Sequence, residues 1–273
     1  MTGGFFPRAT LQKLVESVTG AQVAGQTDQG IEEYSLTQKF EIGTRKVVGL
    51  RTYRYALADG AQIPDVGSQV GPHQAIEGAT CTVAATVPVG ATTVTINKPA
   101  LAGATHDGVF AANELVGGHI VFYVAPSNKV VFRGIKANSA SVAGAAVMTI
   151  ELDAPTPTQL VITTTTCEAM HSPYYKVKTG ASGLRATIGI PAVPAPDKAW
   201  FWLQTWGPCW VAPQAGLGNA ANSIEAVFNS VGSVDEHAYG TAGLTKQQHA
   251  GFVLTTNYAG TQGAPFIWLM LAP

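Results

Sequence analysis

The sequence predicts a mainly β protein, built from antiparallel barrel or sandwich modules with an extended N-terminal arm that carries one short helix. Two observations lead to this prediction. Short runs of β-branched and aromatic residues recur along the chain, separated by polar turns rich in Gly and Pro. Between residues 79 and 170 the apolar residues show no sustained helical spacing.

The composition indicates a protein whose surface is covered in an assembly. Only 12% of the 273 residues are charged, against about 25% in an ordinary soluble domain. So few charges leave little to keep a free monomer apart from other surfaces. The net charge of −1 and the lack of a Lys/Arg run argue against nucleic acid as a partner.

The sequence carries no membrane or export signal by the usual criteria. It lacks 18 uninterrupted apolar residues, and no basic region precedes an apolar core at residues 1–8. Cys81, Cys167 and Cys209 are odd in number and far apart, a pattern that gives neither a disulfide framework nor a metal site. We therefore expect no membrane partner, and three buried free thiols in a protein made in a reducing cytoplasm.

Residues 1–35 are predicted to form an N-terminal arm. A short helix is expected from Arg8 to Val18, where Leu11 and Leu14 stand at helical spacing. The polar, Gly-rich stretch that follows is too weak to pack alone, so the arm should become ordered against a partner. The alternative is a frayed terminus.

The rest of the chain divides into a main β domain of residues 36–78 and 172–273 and an inserted β module of residues 79–171. In the main domain, Arg51, Tyr53 and Tyr55 share one face of a predicted strand. The inserted module shows hairpin signals around Pro88–Ala91 and Ala125–Asn128. A last hairpin is expected from two apolar runs, Ala250–Thr256 and Pro265–Leu271.

Four of the five tryptophans lie between Ala199 and Val211. This stretch is predicted to be a strand that turns at Gly207-Pro208 into a second short strand. Large rings fall on both faces of the first strand, so both faces must be covered. A second layer of this chain or a neighbouring subunit could provide that cover.

The sequence contains no recognisable catalytic or metal-binding motif. The phosphate-binding loop, the nucleophile elbow, the zinc helix and the calcium loop are all absent, and the six histidines form no metal-binding pair. Asp235-Glu236-His237 is interpreted as a solvated loop. We therefore predict a protein that is not an enzyme and needs no cofactor or metal.

Basic and aromatic residues alternate at Arg45, Arg51, Tyr53, Arg54 and Tyr55. Such a pattern can bind single-stranded nucleic acid. With a near-neutral chain we favour a cross-strand aromatic pair, with the arginines in ion pairs to acidic groups of a neighbour.

Several segments resemble a group of tailed-phage virion proteins encoded among head genes: Phe40–Arg45, Thr52–Ala56, Phe201–Pro208, Ala250–Leu254 and Phe266–Pro273. The resemblance covers residues 40–58 and 199–273, and the group implies no catalytic residues. It implies a capsid cement or decoration protein, made in the host cytoplasm and seated on the major capsid protein at the virion surface. The resemblance also implies binding at threefold positions of the capsid, where the protein would form a homotrimer.

On this hypothesis ten residues are candidates for partner binding: Phe5, Phe6, Arg8, Leu11, Leu14, Arg45, Arg51, Tyr53, Arg54 and Tyr55. The arm would reach a neighbouring capsomer and gain avidity from its tether. Two alternatives stay open. One is a tail, neck or fibre component of the virion, and the other is a carbohydrate-binding module with Trp200 or Trp202 in an open groove.

Overall fold

A computed structural model describes the following residues: 16–19, 28–71, 74–76, 81–98, 109–125, 127–180, 185–212, 217, 224–237, 247–255 and 266–273. These residues contain strands and turns and no helix, and every ladder between their strands is antiparallel. The prediction of a mainly β, antiparallel protein is confirmed. The chain forms two compact units, one of Met1–Gly71 with Tyr174–Pro273 and one of Pro72–Pro173.

The first unit is organised around one sheet. Its strands are β1 Glu16–Thr19, β2 Arg45–Val48, β3 Arg51–Leu57, β4 Ser68–Gln69, β12 Lys178–Thr179, β13 Thr187–Pro191, β14 Trp200–Trp210, β15 Glu225–Phe228, β16 Val234–Glu236, β17 Gln248–Val253 and β18 Phe266–Met270. They run in the order β1-β2-β3-β14-β18-β17-β15-β16. In addition, β13 pairs with both β14 and β4, and β4 pairs with β12. The predicted closing hairpin is confirmed, since β17 and β18 pair directly. Asp235 and Glu236 lie in strand β16 instead of the predicted loop.

The second unit contains a closed six-stranded barrel. The described part of the unit has seven strands, of which all but β5 form the barrel: β5 Gln74–Ile76, β6 Thr82–Val83, β7 Thr93–Lys98, β8 His119–Val124, β9 Lys129–Asn138, β10 Ala146–Leu152 and β11 Thr165–Met170. The ring runs β11-β6-β7-β10-β9-β8 and returns to β11, while β5 adds to the edge of β11. Because β5 joins this sheet, the unit begins before residue 79. Alternate residues of β8, Ile120, Phe122 and Val124, point into the barrel core.

The predicted N-terminal helix is not confirmed. Residues 8–15 lie outside the described residues, but Glu16–Val18 belong to strand β1. This strand pairs with β2 in antiparallel register, Glu16 opposite Val48 and Thr19 opposite Arg45. The backbone is extended here because its hydrogen-bonding groups pair with a strand, which helical spacing of side chains does not reveal.

Strand β14 continues through Gly207-Pro208 without a turn, so the prediction of two strands is wrong. The strand continues for 11 residues, pairing with β3 over Trp200–Trp206 and with β18 over Trp206–Trp210. A register shift between Gln204 and Trp206 marks a bulge. The Gln204 Nε2 group donates to the Trp206 and Pro208 carbonyls at 3.2 and 2.8 Å. Gly207-Pro208 lies beyond this bulge, where β14 keeps a continuous register with β18 and is no longer paired with β3. A Pro residue is tolerated in a strand whose one edge has no ladder partner.

Candidate functional site

The first half of β14 is buried on both faces. Phe201 and Leu203 pack into one core cluster with Ala56 and Val177 of the same unit. Trp202 lies on the other face, with no exposed surface. The rings of Phe40 and Tyr55 lie 5.2 and 4.9 Å from its ring.

Residues 28–41, which we name the covering segment, form the second layer over Trp202. The backbones of Ser35 and Trp200 exchange two hydrogen bonds of 2.9 and 2.7 Å. Buried Gln29 is the centre of this contact. Its Nε2 group donates to the Trp200 carbonyl at 3.0 Å, and its Oε1 accepts from the Tyr55 hydroxyl at 2.6 Å. The Trp202 indole N–H donates to the Gln29 carbonyl at 3.3 Å.

The second half of β14 has one buried and one open face. Cys209 points into a core cluster with Ile267 and Leu269 of strand β18. Trp206 and Pro208 are half-buried on the opposite face, and Trp210 is 43% exposed there. In this half the described residues leave the second face of the strand uncovered.

Neighbouring strands extend this open face into a continuous apolar surface. In the register, Trp206 faces Met270, Pro208 faces Trp268 and Trp210 faces Phe266, and Trp268 also faces Phe252 of strand β17. The rings of Phe252 and Trp268 are parallel within 2°, with centroids 6.2 Å apart. We name this surface the outward aromatic face; its members are Trp206, Pro208, Trp210, Phe252, Phe266, Trp268 and Met270.

The exposure of this face is unusual for such large apolar side chains. Phe266 is 52% exposed, Phe252 42% and Met270 37%. At its edge, Glu225 stands opposite Phe252, and the Glu225 carboxylate lies 3.1 Å from Nδ1 of His249. Trp, Phe and Met are enriched at the centres of protein interfaces, where charged residues are depleted. The outward aromatic face therefore has the composition of an interface core with an ionisable pair at its rim.

The sequence-predicted partner residues lie elsewhere. Phe5, Phe6, Arg8, Leu11 and Leu14 fall outside the described residues. Tyr53 and Tyr55 are buried in the sheet. Their assignment to a partner surface is corrected, because the covering segment and β14 already occupy the face on which their rings lie.

Burial also changes the acidity of these tyrosines. Burial raises the pKa of Tyr53 to about 12, and the nearby Arg51 guanidinium offsets only part of this increase. Burial raises the pKa of Tyr55 as well. Both hydroxyls are therefore neutral at physiological pH and act as hydrogen-bonding groups of the core.

Three of the four predicted arginines lie among the described residues, and these three have contacts within their own chain. Arg51 is exposed, with its guanidinium carbon 5.7 Å from the centre of the Tyr53 ring. Arg45 Nε and Arg54 Nη2 both donate to the backbone oxygen of Pro273, at 3.1 and 3.3 Å. Ion pairs of these arginines with the acidic groups of a neighbour stay a prediction.

Reasoning from the sequence missed the outward aromatic face. The available signal was that large apolar residues occupy both faces of Phe266–Met270, and that Trp206, Pro208 and Trp210 recur at every second position. This signal does not indicate an exposed face, because Ile267 and Leu269 already provide the buried face of the strand.

Neither a metal centre nor a membrane-spanning helix is found among the described residues. In the part of the chain that the structure describes, no group of three or more His, Cys, Asp and Glu side chains is placed to hold a metal ion. The described residues also contain no helix long and apolar enough to span a membrane.

Comparison with known proteins gives no match: no protein family, no curated protein and no solved structure is significantly similar to this chain. The interpretation of the site therefore depends on its own geometry and chemistry.

Proposed function

We propose that this protein is a non-enzymatic structural subunit of a tailed-phage head, a cement or decoration protein that binds the outer surface of the capsid. The outward aromatic face carries the proposal. It lies on three hydrogen-bonded strands, β14, β18 and β17, so its side chains are presented on a rigid surface. A rigid apolar patch of this kind binds by area and shape, as a protein seated on a repeated lattice must.

In the proposed complex the major capsid protein covers the outward aromatic face. Trp210 and Trp268 are then its central anchors, since large rings that become fully desolvated dominate the free energy of binding at most interfaces. The pair of Glu225 and His249 lies at the rim and contributes more to the association rate than to affinity. The low charge content of 12% supports the same function, because few charges need to be desolvated.

Binding of purified protein to expanded capsids tests the proposal. Trp210→Ala and Trp268→Ala should each weaken binding about tenfold or more. Phe132→Ala is the matched control, because Phe132 is a 58% exposed aromatic residue of the barrel unit and does not belong to the face. If both tryptophan variants bind like the control, the outward aromatic face is not the capsid contact.

Copy number in virions distinguishes the cement function from its virion alternative. A copy number comparable to that of the major capsid protein supports cement, whereas a few copies per particle indicates a tail, neck or fibre component. Analytical ultracentrifugation of the free protein tests the proposed homotrimer. A stable monomer that does not bind capsids would contradict the whole proposal.

A carbohydrate-binding module is the second candidate, now on different residues. Trp202 is fully buried and Trp200 stacks on Tyr55 with centroids 5.6 Å apart, so neither forms an open platform. The parallel rings of Phe252 and Trp268 beside the Glu225 carboxylate favour this candidate. Calorimetric titration with soluble oligosaccharides would support it if binding depends on Trp268, and exclude it for the sugars tested if no heat is released.

A further inference from the structure

Two of the three cysteines contact each other inside the barrel unit. The Cys81 and Cys167 Sγ atoms lie 3.0 Å apart, and both side chains are fully buried. The Cys167 amide donates to the Cys81 carbonyl at 3.0 Å. Thr166 stands opposite Thr82 in antiparallel register, so the two cysteines are directly opposite each other.

This backbone arrangement fits a disulfide. Directly opposite residues of a hydrogen-bonded antiparallel pair have Cα atoms about 5.5 Å apart. Disulfides require a Cα separation of about 4.4–6.8 Å and side chains that point towards each other. The contact between the two sulfur atoms shows that Cys81 and Cys167 meet the second condition.

The pair lies where the barrel closes. Strand β6 has two residues and pairs with β11 at one position, Thr82 opposite Thr166. The same edge of β11 is extended by β5, which pairs only at Ile76 and Gln74. A covalent link at Cys81 would therefore reinforce the barrel where its strand pairing is shortest.

We propose that Cys81 and Cys167 form a reversible intrachain disulfide that closes the barrel covalently when the protein meets a disulfide oxidant such as glutathione disulfide. One cysteine thiolate attacks a sulfur of the oxidant, forming a mixed disulfide and releasing one glutathione. The second cysteine attacks the mixed disulfide and releases the other glutathione. In total the two thiols lose two electrons and two protons, and glutathione disulfide is reduced to two glutathione molecules.

The closed barrel controls the rate of this reaction. The hydrogen bond with Cys81 and burial both raise the pKa of the Cys167 thiol, which disfavours the reactive thiolate. Neither sulfur is accessible to glutathione until β6 separates from β11. Oxidation should therefore be slow in buffer and faster in denaturant concentrations that open this edge without unfolding the unit.

Thiol counting on the full chain tests the proposal and does not depend on the proposed function. The reduced protein is incubated with glutathione disulfide at graded ratios to glutathione, then unfolded, alkylated and digested for mass spectrometry. We expect loss of two alkylatable thiols and a linked peptide pair containing Cys81 and Cys167, reversed by dithiothreitol. Cys209, buried in the other unit, should remain alkylatable and serves as the internal control.

The link should also raise the melting temperature. It joins residues 86 positions apart, and closing so long a loop restricts the unfolded chain strongly. The expected increase is on the order of 10 °C for the barrel unit. Cys167→Ala should abolish the redox response, whereas Cys209→Ala should retain it.

A second variant keeps the test decisive if Cys167→Ala fails to fold. Cys81→Ala removes the other partner and should likewise abolish the response. Three alkylatable thiols at every glutathione ratio, including in mild denaturant, would overturn the proposal. A stable glutathione adduct on Cys81 or Cys167 without a linked peptide would overturn it as well.

Discussion

The two halves of strand β14 carry similar side chains but have different surroundings. In the first half, Trp202 is fully buried between the sheet and the covering segment. In the second half, Trp210 is 43% exposed on the outward aromatic face. Both halves have aromatic or apolar residues on both faces, so their composition alone does not decide which half is covered.

The difference comes from a distant segment of the chain. The covering segment is fixed by backbone hydrogen bonds between Ser35 and Trp200 and by the side chain of Gln29. No described residues provide an equivalent layer over Trp210. An aromatic strand therefore becomes core or surface according to whether another segment can satisfy its polar groups and cover its rings.

The largest effect is expected for Trp202→Ala. It removes a fully buried indole that contacts Phe40 and Tyr55. We expect the free energy of unfolding of the first unit to fall by about 3–5 kcal/mol. Chemical denaturation followed by fluorescence or circular dichroism measures the loss.

Trp210→Ala is the matched control for this prediction. It removes the same side chain from the open half and should change the free energy of unfolding by no more than about 1 kcal/mol. Equal losses in the two variants would contradict the distinction between a covered and an open half.

Gly207→Ala tests the junction between the halves. Gly207 has φ +92°, and a Cβ atom there would collide with the backbone oxygen of Leu50. The neighbouring strand β3 cannot move without losing its pairing to β14. We expect destabilisation of about 2–4 kcal/mol, measured by denaturant unfolding.

Gly60→Ala separates the two causes of that loss. Gly60 has the same φ of +92°, but no atom lies within 4 Å of the added Cβ. This variant should cost only the backbone strain, about 1 kcal/mol. If Gly207→Ala costs no more than Gly60→Ala, the close approach of β3 to β14 is not structurally important.

Local sequence patterns predicted the strands well and their partners less well. The hairpin signal around Ala125–Asn128 predicted the pair of strands β8 and β9, because a short polar turn joins adjacent antiparallel strands. The turn signal of Gly207-Pro208 was misleading, since Gly and Pro are typical of turns but here lie inside the continuous strand β14. Residues 28–41 showed no pattern of their own, because their role depends on Gln29 reaching Trp200, 171 residues away.

Two of the predicted partner residues, Tyr53 and Tyr55, are buried for a related reason. Tyr53 and Tyr55 combine rings with nearby arginines, which is typical of a binding surface. Their burial depends on the covering segment, a contact between residues distant in sequence. The predicted cover on both faces is confirmed for the first half of the tryptophan stretch, where Trp202 is fully buried. Local spacing does not show which half obtains cover from this chain.

Gln29→Ala should uncover the first half partially. The substitution removes two donated hydrogen bonds, to the Glu33 and Trp200 carbonyls, and leaves the buried Tyr55 hydroxyl without its acceptor. We expect a loss of about 2 kcal/mol and increased quenching of Trp202 fluorescence by acrylamide. Gln38→Ala, which removes one bond to the Phe40 carbonyl, should cost less than about 1 kcal/mol. Similar losses in both variants would show that Gln29 has no special role in holding the cover.

Alkaline pH should destabilise the protein through the covered half of β14 and not through the open half. Tyr53 lies opposite Gln204 in the covered half, whereas the outward aromatic face contains no tyrosine. Burial raises the pKa of Tyr53 from its usual value of 10 to about 12. The folded state therefore keeps a proton that the unfolded state loses, so stability is complete below pH 10 and falls as pH rises towards 12. At pH 11, midway between the two pKa values, the expected loss from this group is on the order of 1 kcal/mol. Urea unfolding at pH 9 and pH 11 measures it, and Tyr53→Phe should remove that part of the dependence while Trp210→Ala leaves it unchanged.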